Sequence, residues 1–394
     1  EETLRYRLDE RFGLAKLELR QAYATILLPF GQLRAGRMAF TWGTGMVANG
    51  GSGEPDFGDR RYGDLVHRVT FGTKPLSGLA GTPEAVRGLA LFVGGDLVHR
   101  DENADWSKGD RARALVFGIR TETKDLTIGV FQSFRWQRDR EEPSHPERGN
   151  TRVDAAATDL YARAVVLRPW PATSLALEGE AVLVRGTTDR PYLDENKDGA
   201  KVRSFGGIAR VTWEDDDLRL RARAEVGYAS GDNDPHDATV RTFSFDPDYK
   251  VGLVLFDQVL ARLSARGVDR ITSPGLLAVP PSGARYLETQ GAVSNAIYVN
   301  PTVRFRPLDT GDHALDLRLG WLFARSAADI VDPYSSAKVG GYDATYGERS
   351  PGSRALGHEL DASAKYTVRL PGDVKLRGGA EAGVLFAGAA FAGL

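Results

Sequence analysis

The stretch "DLRLRARAEVGYASGDNDPHD", from Asp217 to Asp237, decides the fold. Its first half alternates. Leu218, Leu220, Ala222, Ala224 and Val226 fall on one side, and Arg219, Arg221, Arg223 and Glu225 on the other. Successive side chains of a strand point to opposite faces. The segment therefore predicts a strand with one oily face and one arginine-rich face, running into a loop of Asp and Gly.

The same pattern recurs along the chain. Period-two segments run over Leu14–Leu28, Leu33–Gly43, Asp64–Gly72, Arg87–Arg100, Arg111–Glu122, Leu126–Arg138 and Thr158–Pro169. They continue over Thr173–Gly186, Val202–Glu214, Asn295–Pro307, His313–Arg325, His358–Leu370 and Val374–Gly388. The connections alternate in length. Tight turns such as 123–125, 215–217 and 371–373 are followed by long segments at 44–63, 101–110, 139–157, 187–201, 231–294 and 326–357. A soluble meander has no reason to keep its long loops at one end, whereas an outer-membrane barrel has tight periplasmic turns and long outer loops. A strand of about ten residues, tilted by about 40°, rises roughly 25 Å, the height of the apolar band of such barrels. Phe40, Trp42, Phe134, Trp136, Trp170, Trp213, Trp321 and Phe323 lie near strand ends, as in an interfacial aromatic girdle.

The expected fold is thus all-β: one transmembrane up-and-down antiparallel barrel over residues 1–394. Bacterial barrels usually have even strand numbers, which predicts about sixteen strands, with eighteen the alternative. Composition agrees. There are no cysteines among the 394 residues, so a disulfide framework and cysteine zinc sites are excluded. The 45 glycines and 19 prolines supply turns. A net charge of -2 gives no footprint for nucleic acid. The mean hydropathy of -0.31 hides the oily face, as alternation does in membrane barrels.

If the oily face is outside, the polar face lines the lumen. Its candidate solute-binding residues are Arg37, Arg135, Arg163, Arg219, Arg221, Arg223, Arg304, Arg306, Arg318, Lys365, Arg369, Lys375 and Arg377, with Arg203 on the same reading. Rings of Arg or Lys select anions in pores, and guanidinium forks match carboxylates. The competing reading is a set of Arg–acid ladders that stiffen the wall, for example Arg223 with Glu225 or Arg377 with Asp361.

Asp194, Asn196 and Asp198 alternate ahead of Gly199, the first half of a calcium loop. The position where a calcium loop places Glu is Phe205, so an acidic outer turn is the alternative. "SGDNDPHD", Ser230 to Asp237, is a weaker candidate of the same kind. No catalytic constellation is present. The six histidines are scattered without an HExxH, and the glycine-rich Gly43–Pro55 lacks a Walker lysine, so the chain reads as no enzyme. Within the long loop 231–294, extracellular or folded into the lumen, Tyr249–Asp269 predicts a helix with Leu253, Phe256, Val259, Leu260 and Leu263 as its apolar stripe.

Three stretches resemble the alginate-export family of outer-membrane barrels. "LRAGRMAFTWGTGM" is similar to the family's "GRQ" hairpin strand, with Arg37 at the family's arginine and Met38 in place of its glutamine. "AEVGYASGDNDPHDATVRTF" resembles its strand followed by an "ASGD" loop, and "LGHELDASAKYTVRLPGDVKLRGGAEAGVLFAG" its closing hairpin. The resemblance implies a monomeric barrel with a basic constriction passing an anionic polysaccharide. The segment around 246–292 departs from the family's short loop.

These readings converge on a bacterial outer-membrane channel for passive movement of anionic solutes or an acidic polysaccharide. Its expected partners are membrane lipid, lipopolysaccharide and the anionic solute, with an envelope protein a further candidate and no nucleic acid. A general diffusion porin and a loop-plugged, partner-binding barrel are the alternatives.

Overall fold

The computed structural model describes the chain except residues 1–18, 60–62, 141–149, 191–198, 235–236, 274, 276–285, 331–352, 373 and 393–394. The residues form a fifteen-stranded sheet in which fourteen strands follow one another in chain order. These are β1 (Ala22–Leu28), β2 (Gly31–Met38), β3 (Leu65–Thr73), β4 (Ala90–Arg100) and β5 (Arg111–Glu122). Then come β6 (Leu126–Arg138), β7 (Arg152–Leu167), β8 (Thr173–Thr188), β9 (Ala200–Asp215) and β10 (Leu220–Ala229). The two-residue β11 (Thr239–Val240) pairs with β9 in parallel, off the main path. The series closes with β12 (Ala296–Asp309), β13 (His313–Ser326), β14 (Ala355–Leu370) and β15 (Val374–Ala387). Among the described residues the order is open between β1 and β15.

The alternation of the sequence becomes two faces. One carries exposed apolar side chains, among them Leu115, Phe117, Val130, Leu160, Val226, Leu319, Leu360 and Val384. The other is mostly polar and buried: Arg68, Asp96, Asp159, Glu180, Glu225, Arg318, Glu359 and Asp361. An inside-out distribution of this kind is what a lipid-facing barrel requires, because the apolar band meets hydrocarbon and the lumen meets water.

The sheet is wrapped around the segment after β2. Trp42 stacks on Phe131 of β6 with ring centroids 5.4 Å apart. The backbone N–H of Thr44 donates to Glu180 of β8. Phe57 packs against Gly320 of β13, where a Cβ would collide with its ring. The backbone N–H of Gly58 donates to Glu381 of β15 at 2.9 Å. A segment that touches strands so far apart in order lies inside a barrel. Trp42 and Phe40 therefore do not belong to the outer girdle that their position near a strand end predicts. Trp42 is 3% exposed and faces the lumen. Trp136, Trp170 and Trp321 are exposed.

The loop between β10 and β12 forms the largest apolar cluster. Phe243, Phe245, Tyr249, Leu255, Phe256 and Leu260 pack on Val182, Ile208, Tyr298 and Leu322 of the wall. A π-helical turn Leu255–Leu260 leads into an α-helix Ala261–Thr272. The amides of Leu253, Val254 and Leu255 donate to the carboxylate of Glu359, which is fully buried. A carboxylate at a helix N-terminus satisfies orphan N–H groups and meets the positive end of the dipole.

Candidate functional site

The basic residues of β10, β12 and β13 fall into register. Arg221 lies directly opposite Arg304, and Arg304 directly opposite Arg318. Neighbouring strands are about 4.8 Å apart, so three guanidiniums stand side by side in one row. Like charges directly opposite are destabilising unless something neutralises them. The neutralising groups come from the lumenal segment. Asp56 pairs with Arg223. Arg318 donates to the carbonyls of Pro55 at 2.8 Å and Asp56 at 2.9 Å, and to Glu54 at 2.9 Å. Glu54 also takes Arg377 at 2.7 Å and Lys365 at 3.4 Å. Burial pushes the carboxyls of Glu54 and Asp56 up. The cations around each outweigh it, with Arg318 foremost at Glu54 and Arg223 foremost at Asp56, and hold both below the ordinary range.

The segment does not fill the array. A small open recess of about 10 Å³, room for about one water, is lined by Asp56, Arg221, Arg223, Thr302, Arg304 and Arg318. Arg221 makes no hydrogen bond or ion pair among the described residues, and its Nε is buried without an acceptor. The Nε atoms of Arg223 and Arg318 are in the same state. This is an anion-receptive pocket: donors converge, one carboxylate is present, and several N–H groups lack acceptors.

Other candidates are committed to pairs. Arg304 and Arg306 share Asp316, at 2.7 and 3.0 Å. Arg135 holds Asp101 at the 2.5 Å limit of a short ion pair. Arg163 lies opposite Glu178, and Arg369 opposite Lys375, both on the lumenal face near the short turns. Arg219 sits in the tight turn before β10 with φ 53, where its carbonyl accepts from the amide of Arg306. The ladder reading holds in part of the wall: Arg210 bridges Glu178 at 2.5 Å and Glu225 at 2.6 Å.

Two residues leave the lumen. Arg37 lies opposite His67 and shares the outer face with Leu33 and Val69. Arg203 lies opposite Arg185 and shares that face with Phe205. The sequence reading placed both inside, but the outer face itself turns basic at the long-loop end of the strands.

The residues that carry the site's negative charge, Glu54 and Asp56, escape sequence analysis because a glycine-rich segment has no periodicity. The one available signal was a pair of acids flanking Pro55 in the run Gly43–Gly58, which holds no other charged residue. Asp194, Asn196 and Asp198 lie outside the described residues. In the second acidic loop, Asp232 and Asp237 are taken up by Arg241, at 3.3 and 2.6 Å. Carboxylate oxygens of Asp64, Glu102 and Asp246 lie within 4.8 Å of one another, beside the ends of three loops. Burial first, and then the neighbouring acids, raise Asp64 and Asp246 well above the ordinary range.

No family model and no curated protein matches the chain. Solved structures do. OccK11 (OpdR) of Pseudomonas aeruginosa superposes with a TM-score of 0.50 at 13% identity, over 94% of this chain and 75% of that one. OccK10 (OpdN) of the same organism gives 0.47 at 10% identity over 93% and 78%. OpdL gives 0.44 at 10% identity over 92% and 76%. The likeness to OccK11 establishes the fold: an up-and-down β-barrel of the outer-membrane porin type. The resemblance to the alginate-export family is carried only by the segments that suggested it.

Proposed function

We propose that this chain is a passive channel of the bacterial outer membrane that favours anionic solutes, bound through their carboxylates. The observation that carries this reading is the row Arg221–Arg304–Arg318 beside an open recess, in which Arg221 makes no ion pair of its own and only shares the field of Asp56, already paired with Arg223. A solute carboxylate entering the recess meets a fork whose geometry matches its own. Low-dielectric walls strengthen that attraction. The recess holds about one water as it stands, so a small carboxylate enters as the guanidiniums part, and an acidic polysaccharide would need the lumenal segment to move aside. No step requires a cofactor, and the barrel supplies its own path as a monomer.

The test is conductance in a planar bilayer, with the reversal potential read under a KCl gradient. Anion-selective openings whose selectivity falls in Arg221→Gln support the reading. Cation-selective openings unaffected by that change overturn it. Openings without charge preference favour general diffusion.

A second reading rests on a different observation. The segment after β2 and the loop carrying the helix both pack in the lumen. A barrel that inserts but stays silent is a plugged scaffold.

A further inference from the structure

On the outer face, every Arg or Lys of the described strands lies at the long-loop end. Apart from Arg37 on β2, three consecutive cross-strand rows of β5–β9 carry most of them. Arg111, Arg138 and Arg152 are direct neighbours on β5, β6 and β7. The next row holds Arg113 and Lys201, and the third holds Arg185 opposite Arg203. The six arginines are solvent-exposed, and none of their side chains has a carboxylate partner among the described residues, although the backbone N–H of Arg152 donates to Asp189. Arg111 and Arg138 donate only to neutral oxygens, of Trp106 and Asp110 at 3.1 and 2.8 Å and of Asn150 at 3.0 Å. Two acids accompany these rows: Asp154, between Arg113 and Lys201, and Asp189, beside Arg152.

Guanidiniums stacked in direct register repel one another. Aqueous loops offer many places for arginine without that cost. Here the rows sit immediately above the apolar band, on the same strands and the same face as Leu115, Phe117, Phe134, Leu183 and Phe205. An anion bound at the rows therefore has hydrocarbon-compatible surface directly beneath it. Free phosphate uses only the upper part of such a surface. A molecule with phosphate groups above and acyl chains below uses all of it.

We infer that the outer face of β5–β9 is a binding site for a phosphate-bearing, multiply acylated lipid of the outer leaflet. Its phosphates bridge Arg111, Arg138 and Arg152 on one side and Arg185 and Arg203 on the other. Its chains lie along the leucine and phenylalanine rows. The site rests on the membrane reading proposed above but not on the selectivity of the lumen. It orients the barrel as well, with the long loops on the side where that lipid resides.

The test uses the full chain, purified in neutral detergent and probed by native mass spectrometry. The probes are bisphosphorylated lipid A, its dephosphorylated form, and inorganic phosphate as competitor. The wild-type barrel is expected to retain the bisphosphorylated form at least tenfold over the dephosphorylated one. The combined variant Arg138→Gln, Arg152→Gln, Arg185→Gln, Arg203→Gln is expected to lose that preference. Arg221→Gln, in the lumen, keeps it. Equal retention by wild type and the combined variant overturns the site. Displacement by millimolar inorganic phosphate overturns the lipid as its occupant. Insertion into neutral phosphatidylcholine vesicles is read in parallel. A wild-type chain that does not insert there overturns the membrane reading and this site together. Insertion with no lipid preference removes the site alone.

Discussion

Glu54, in the segment after the second strand, holds Arg377 of the last strand at 2.7 Å, across 323 positions of sequence. Together with Asp56 on Arg223 it places two carboxylates of the chain's own on the basic wall. They occupy donors that an anionic solute would use.

Removing that competition is therefore expected to open the array. The double change Glu54→Gln, Asp56→Asn should raise anion selectivity and shift the reversal potential toward that of chloride. Half-block by a small dicarboxylate should occur at a concentration lower by about tenfold, or about 1.4 kcal/mol. An unchanged reversal potential would show that the two carboxylates do not face the permeation path.

The two arginines of the row should behave differently. Arg221 has no pair, so Arg221→Gln should lower anion selectivity with little change in stability. Arg318 is buried and serves Glu54 and two carbonyls. Arg318→Gln leaves those acceptors short and should cost about 2–4 kcal/mol in urea unfolding from lipid vesicles. Equal losses in the two variants would contradict the pairing described.

Acid should release the lumenal segment. The folded-state carboxyls of Glu54 and Asp56 lie below their ordinary values, burial being outweighed by the surrounding cations. A depressed carboxyl contributes stability that is full above its unfolded value and is lost as pH falls through the folded one. Conductance should thus be flat from about pH 8 to pH 5 and change only below about pH 4. A transition near neutrality would point to other groups, with the Asp64–Glu102–Asp246 cluster the first to examine.

The helix in the long loop depends on one side chain. Glu359 takes three backbone amides at its start. Glu359→Leu leaves all three amides without an acceptor in a buried site, a loss of about 2–4 kcal/mol. Amide exchange across 255–272 should accelerate by at least tenfold, while exchange in β5–β8 stays unchanged. Uniform acceleration would mean that the helix and the wall open as one unit.

Much of the fold was legible because alternation survives in nearly every strand. The run Leu218–Val226 has the phase in sequence that β10 has in the barrel, and the tight turns fall where expected. Two kinds of feature were not legible. The outward turn of Arg37 and Arg203 depends on where the apolar band ends, a matter of height along the barrel that a period-two pattern does not encode. The inward turn of Trp42 and the acidic pair Glu54 and Asp56 depends on a segment without periodicity. Its partners are tens to hundreds of residues away. Alternation reports which face a strand residue takes, and says nothing about which charge from elsewhere will meet it.

The ionic tip that Glu54 and Asp56 form has a consequence for biogenesis. Both acids lie in the segment after β2, whereas Lys365 and Arg377 belong to β14 and β15 and leave the ribosome later. Until those strands dock, the interior carries acids without their full set of cations. A chain shortened before β15 would keep Arg318 and Lys365 on Glu54 and Arg223 on Asp56 but lose Arg377, and would present an acid short of one cation to any factor that inspects unfinished barrels.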